Sequence, residues 1–192
     1  MRIDHVIFAT TDLEATAARL EAEYGLRAAG GGRHQGLGTG NRIVPLGGGY
    51  LEILAETDAE EAARSPLGRA LASRIAQAGE GLMGWAVAVE DVAPVAERLG
   101  TEVSTIMRQG LSARLTGLAE AMATPFLPFF IARDPGVADP GAAGDAGGIE
   151  WIEVAGDRER LAAWLGGAEL PVRVVNGAPA VRAVGIGGRS LH

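Results

Sequence analysis

Three side chains could do chemistry together: His5, His34 and Glu52. The only other histidine, His192, is the last residue. His34 stands beside a glycine-studded run, GGRHQGLGTGN from Gly31 to Asn41, and Glu52 interrupts the otherwise apolar strand pattern YLEILA. An imidazole and a carboxylate in one cleft are the pair that moves protons near neutral pH, and the same nitrogen and oxygen donors ligate divalent ions. A lone carboxylate on a buried strand face costs several kcal/mol unless it is paired or wetted, so Glu52 needs a partner or a cleft. Two partners offer themselves: His5 by a hydrogen bond, and Arg42 by a purely structural ion pair. Thr39 and Asn41 serve either to cap the glycine loop or to line the same cleft.

Composition removes several alternatives. The absence of cysteine excludes disulfides, thiolate zinc sites and cysteine nucleophiles. All 17 basic residues are arginine, which excludes a Schiff-base lysine and the lysine of a P-loop. The glycine run lies between strands rather than ahead of a helix, so it makes a poor phosphate cradle. A net charge of −7 with scattered arginines argues against nucleic acid as a partner. No apolar run is long enough to span a membrane, and the chain begins directly on a strand pattern without a leader, so a cytoplasmic location is expected.

The elements that must position these residues follow from periodicity. Residues 3 to 10 alternate as a strand, with Ile3, His5 and Ile7 on one face and Val6 and Phe8 on the other. Thr11-Asp12-Leu13-Glu14 reads as a capping box, Leu13, Ala17, Leu20 and Tyr24 form a helical stripe, and Gly25 closes it. Strands are expected over Asn41 to Leu46 and Tyr50 to Ala55, where Glu52 shares a face with Tyr50 and Leu54. A flexible glycine loop crosses the cleft mouth ahead of them, and a helix spans about Leu67 to Gln77.

The strand–helix pattern then recurs. Leu82-Met83-Gly84-Trp85 aligns with Ile3-Asp4-His5-Val6, and Arg98-Leu99 with Arg19-Leu20, at a constant offset of 79. An internal duplication explains that constancy. Further strands are expected over Thr101 to Met107, Ala113 to Leu118 and Phe126 to Asp134. The tail, IEWIEVAGDRERLAAWLGG followed by strand patterns at Pro171 to Val175 and Ala180 to Ile186, is a third echo.

Paired units of this kind, opening with IDHVIFATTDLEATAARL and closing with YLEI, resemble the vicinal oxygen chelate superfamily. The run GGRHQGLGTGNRIVPLGGGYLEILA with the later LPFFI resembles its glyoxalase-like branch. The resemblance covers residues 1–134 and, through the third echo, extends toward the whole chain. It implies an α+β fold in which two βαβββ units, residues 1–56 and 82–134, form a half-open barrel around a central cleft with helices on the convex side. A flexible loop at 135–148 and a truncated C-terminal βαββ piece at 149–192 would follow.

In such proteins a divalent metal sits between the units, held by a first-strand residue and a last-strand glutamate. The resemblance therefore implies His5 and Glu52 as metal ligands, with Zn, Mn, Fe or Ni as the ion. The second unit breaks the pattern: Gly84 stands at the position offset from His5, and aligning FFIARD with YLEILA puts Ala132 at that of Glu52. If WIEV closes the second unit instead, Glu153 takes that place, and either His34 or Glu153 would complete the donor set. The implied function is a metal-dependent lyase, isomerase or dioxygenase acting on a small carbonyl or diol compound, with Glu52 and His34 as catalytic residues. The alternative is a metal-free protein that binds or sequesters a small molecule, of the bleomycin-resistance type. Thr39, Asn41, Arg42, Trp85, Arg108 and Phe129 would bind the substrate, unless Trp85 and Phe129 join the core and Arg108 lies in solvent. A small-molecule ligand and a homodimer are the partners implied.

Overall fold

The N-terminal alternation folds as strand β1 (Arg2–Ala9), followed by helix α1 (Leu13–Tyr24). The cap is Asp12 rather than Thr11: its carboxylate accepts from the backbone N–H groups of Glu14 and Ala15. Strands β2 (Gly31–His34), β3 (Thr39–Pro45) and β4 (Tyr50–Glu56) complete the first unit. The first part of the glycine run, expected as a loop, is thus a strand carrying His34 at its end. Gly31 permits the pairing with β3, because its φ of 138° suits glycine and a Cβ there would lie 2.1 Å from the Asn41 carbonyl oxygen.

This computed structural model describes residues 1–108, 111–134 and 136–192. Helices α2 (Ala59–Arg64) and α3 (Pro66–Ala78) lead to the second unit: β5 (Gly81–Ala88), α4 (Ala93–Leu99), β6 (Val103–Arg108), β7 (Leu111–Thr116), α5 (Leu118–Ala123) and β8 (Phe129–Arg133). The tail forms β9 (Ile149–Ala155), α6 (Arg158–Trp164), β10 (Val172–Val175), β11 (Ala180–Ile186) and β12 (Arg189–Leu191). The stretch expected to be a mobile loop runs past the turn between β3 and β4, tied to it by Gly47 N–H to Gly141 O at 2.8 Å and Gly148 N–H to Leu46 O at 2.7 Å.

The first two units build one curled sheet of eight strands in the order β2-β3-β4-β1-β5-β8-β7-β6, and the tail builds a second of four, β10-β9-β11-β12. At the centre β1 pairs parallel with β4 and antiparallel with β5. The convex face carries the larger core, where Val6, Phe8, Leu51 and Trp85 pack with Leu20 of α1 and Ile152 of β9. The concave face holds a second core of Ile7, Leu54, Met83, Phe129 and Ile131, against which Leu67 and Leu71 of α3 and Ala121 of α5 pack. Helices therefore cover both faces, not the convex one alone.

One departure from strict alternation positions the site. Along the β1–β5 pair, Ile3 lies opposite Val87 and His5 opposite Ala86, so Asp4 is an extra, unmatched residue. Such a bulge resets the pleat. Ile3 accordingly packs with Val6 and Phe8 on the convex side, not with His5 and Ile7 as alternation had placed it.

Candidate functional site

Strand register brings the chemical groups together. His5 lies opposite Tyr50 and Ile7 opposite Glu52 across β1 and β4, while Ile43 of β3 lies opposite Glu52 and Asn41 opposite Leu54. His34 of β2 pairs with Thr39 of β3. These concave residues surround a cavity of about 100 Å³. Its polar end is His5, His34, Asn41 and Glu52 from the first unit, and its apolar wall includes Ile106, Leu115, Phe129 and Ile131 from the second.

Glu52 is buried and held by Asn41, whose side-chain N–H donates to Oε1 at 2.5 Å. Asn41 is itself anchored, accepting from Gly32 N–H at 3.1 Å and lying 3.1 Å from His34 Nε2. The other His34 nitrogen meets the Thr39 hydroxyl at 2.9 Å. His5 Nε2 points at the remaining Glu52 oxygen, 3.4 Å away, and is a buried polar atom that makes no hydrogen bond. The imidazole ring is stacked on Tyr50 with centroids 4.5 Å apart, and Phe129 presents its edge at 5.4 Å.

Behind His5 lies a group that the sequence reading missed. Its Nδ1 meets Asp4 Oδ2 at 2.8 Å, and Arg133 from β8 grips the same carboxylate with both terminal nitrogens, at 2.6 and 2.7 Å. Burial alone would push the Asp4 carboxyl up, but the hydrogen bonds from Arg133 and His5 outweigh it and hold it well below the usual carboxylate range. Burial likewise opposes the Arg133 charge, and the bonds to Asp4 overcome it, raising its pKa above the ordinary arginine value. The adjacency of Asp4 and His5 was legible in sequence. Period two assigned them to opposite faces, and only the bulge joins them.

The other expected residues divide. Asn41 and Phe129 line the cavity, and Thr39 stands behind His34. Arg42 does not enter it; its guanidinium binds Glu14 of α1, so the partner of Glu52 is Asn41 and not Arg42. Trp85 is fully buried on the convex side, its indole N–H donating to Phe126 O at 3.2 Å, because residue 85 falls on the face of β5 turned away from the cavity. Arg108 ends β6, and its side chain lies outside the described residues. Glu153 belongs to β9 in the second sheet and does not line the cavity. Ala132 is on the convex face; the residue equivalent to Glu52 is Phe129, which lies opposite Ala86 as Glu52 lies opposite Ile7.

A family model described as a glyoxalase-like domain matches residues 3–170. The chain belongs to the glyoxalase-like domain family. Among curated proteins, no sequence matches it. Its fold is shared with a methylmalonyl-CoA epimerase of Streptomyces coelicolor solved in complex with 2-nitronate-propionyl-CoA, at 24% identity over 69% of this chain and 97% of that one, TM-score 0.55. A hypothetical protein from Staphylococcus aureus aligns over 94% of this chain and 87% of its own at 16% identity, TM-score 0.70. A methylmalonyl-CoA epimerase from Mycobacterium tuberculosis aligns over 71% and 89% at 14% identity, TM-score 0.52. Identities this low speak for the fold alone.

Within this glyoxalase-like barrel, His5 Nε2 and Glu52 Oε2 are close enough to reach one ion at about 2.0–2.2 Å each. The second unit adds no matching donor. A Cβ on Gly84 would lie 3.2 Å from Met122 Cε, so a methionine fills that space, and the Glu52 position is Phe129. Among the described residues, no group of three or more His, Cys, Asp or Glu side chains is arranged to hold a metal. Two donors fall short of the three protein ligands that catalytic zinc keeps.

Proposed function

We propose that this glyoxalase-like protein is an isomerase or lyase that moves a proton at the carbon beside the carbonyl of a small molecule, with His5 and Glu52 as its catalytic residues. The observation that carries this reading is the buried His5 Nε2, which makes no hydrogen bond and faces Glu52 across 3.4 Å at the polar end of a largely apolar cavity. An unpaired buried nitrogen is costly, so it is kept where a substrate uses it. His5 Nε2 accepts the proton, and Glu52, steadied by Asn41, stands ready to relay or return it. Asn41 holds Glu52 in place, and the apolar wall packs on the substrate and excludes water from the developing enolate. A cavity of about 100 Å³ suits a short acyl or alkyl group.

The test is α-proton exchange in D2O, followed by NMR, over a panel of small ketones, aldehydes and thioesters. Exchange that is lost in His5→Gln and in Glu52→Gln supports the proposal. Tight binding of a panel member without any exchange would point instead to a sequestering protein. A divalent ion held between His5 and Glu52 is a second reading, favoured by the 3.4 Å separation of their donor atoms. Calorimetric titration with Mn2+ and Zn2+ tests it, and a flat titration removes it.

A further inference from the structure

We propose that Asp4 and Arg133 are positioning residues that fix the tautomer and ring orientation of His5, placing the imidazole proton on Nδ1 and leaving Nε2 bare toward the cavity. The inference rests on the reading of His5 as the group that meets the substrate, and it concerns what prepares that group.

Three observations carry it. The bulge at Asp4 turns two sequence neighbours toward each other, so that the Asp4 carboxylate lies 2.8 Å from Nδ1 rather than across the sheet from it. Asp4 has no exposed surface, and both its oxygens are engaged: Oδ1 by Arg133, and Oδ2 by Arg133 and His5. An ionised carboxylate only accepts, so the hydrogen in the Asp4–His5 contact belongs to Nδ1, and in a neutral ring the lone pair is then on Nε2. The ring cannot turn over freely, being stacked on Tyr50 and flanked by Phe129. Arg133 ties the assembly together, since the nitrogen that binds Asp4 Oδ2 also lies 3.4 Å from the Tyr50 hydroxyl. A buried arginine–aspartate pair adds little stability over an apolar pair of equal volume. Its placement behind the imidazole gives it the role of orienting that ring.

Nitrogen-15 NMR of the imidazole rings in the full chain, above the ordinary histidine titration range, reads the proton directly, and the His5→Gln spectrum assigns the signal. The expected result is a neutral His5 protonated at Nδ1. Asp4→Asn should shift the tautomer ratio toward Nε2–H by about tenfold or more, since a charge-assisted bond is lost. A wild-type His5 carrying its proton on Nε2, or on both nitrogens, overturns the proposal, as does a folded Asp4→Asn variant with an unchanged ratio. Should that variant not fold, the wild-type spectrum decides alone. The correct tautomer without α-proton exchange would sink the proposed reaction and leave the clamp standing. Exchange with an Nε2–H ring would overturn the clamp and leave the exchange reaction standing with a base other than His5.

Discussion

Phe129 stands in the second unit where Glu52 stands in the first: Glu52 lies opposite Ile7 across β1 and β4, and Phe129 opposite Ala86 across β5 and β8. Ile7 and Ala86 are themselves one duplication offset apart. The barrel thus has one polar half and one apolar half at the same depth. Phe129→Glu should return a carboxylate to the cavity as a third donor. The expected outcome is a rise in Mn2+ affinity of at least about tenfold by calorimetry, with a stability loss of about 3–5 kcal/mol for truncating a buried aromatic.

Glu52→Gln keeps the shape of the side chain and one acceptor for Asn41 while removing the charge. Loss of α-proton exchange by about 10²-fold or more is expected from removal of a general acid–base group. The accompanying stability loss, through the weakened hydrogen bond from Asn41, should stay at about 1–3 kcal/mol in urea denaturation. Unaltered exchange would clear Glu52 of any part in the reaction.

Arg133→Met removes the guanidinium that grips Asp4. It leaves Asp4 buried without its cation, and breaking such a pair costs about 3–5 kcal/mol. Urea denaturation against the wild type measures it. The double change Asp4→Asn with Arg133→Met should recover a large part of that loss, because no buried charge is then left alone.

The acid limb of stability has a defined sign. Asp4 has a folded-state pKa depressed below the carboxylate range, so its contribution is fully present above the unfolded value near 3.9 and is lost as pH falls from there toward the folded value. Thermal melts from pH 6 downward should show the wild type losing stability below about pH 4 more steeply than Asp4→Asn. Parallel curves would mean that Asp4 does not gain its charge stabilisation on folding.

Trp85→Phe tests a negative. The indole lies on the convex side and its N–H serves Phe126 O, so the variant should lose about 1–3 kcal/mol and leave ligand affinity and proton exchange unchanged.

Most of the framework was legible because periodicity and duplication report which elements exist. The offset of 79 located both β1 and β5, and Glu52 was visible as a carboxylate that a buried strand face would not tolerate unaided. The errors around Asp4 have one cause: strand parity is a local count, and one inserted residue inverts it. Asp4 was counted onto the wrong face, Ile3 likewise, and Arg133 was never considered because its partner was hidden. Alignment by sequence alone chose Ala132 over Phe129, since apolar residues carry little register information; only the hydrogen-bonded ladder decides. Gly31 to His34 was read as a loop because glycine signals freedom, yet here it permits a close strand pairing.

That polar-and-apolar division of the barrel also has a stereochemical meaning. His5 and Glu52 rise from adjacent strands of the same wall, and the wall facing them offers Leu115, Phe129 and Ile131. The polar groups it adds among the described residues, Ser112 and Arg133, are committed to Asp134 and Asp4. A planar enol or enolate lying between the walls would therefore meet proton donors and acceptors on one face only. If His5 takes a proton as proposed, that proton returns from the side it left, to the same carbon or to its neighbour. On that proposal the site suits suprafacial migration of a proton rather than inversion of a stereocentre. Labelled exchange should then proceed with retention, and a chiral substrate should come back unracemised.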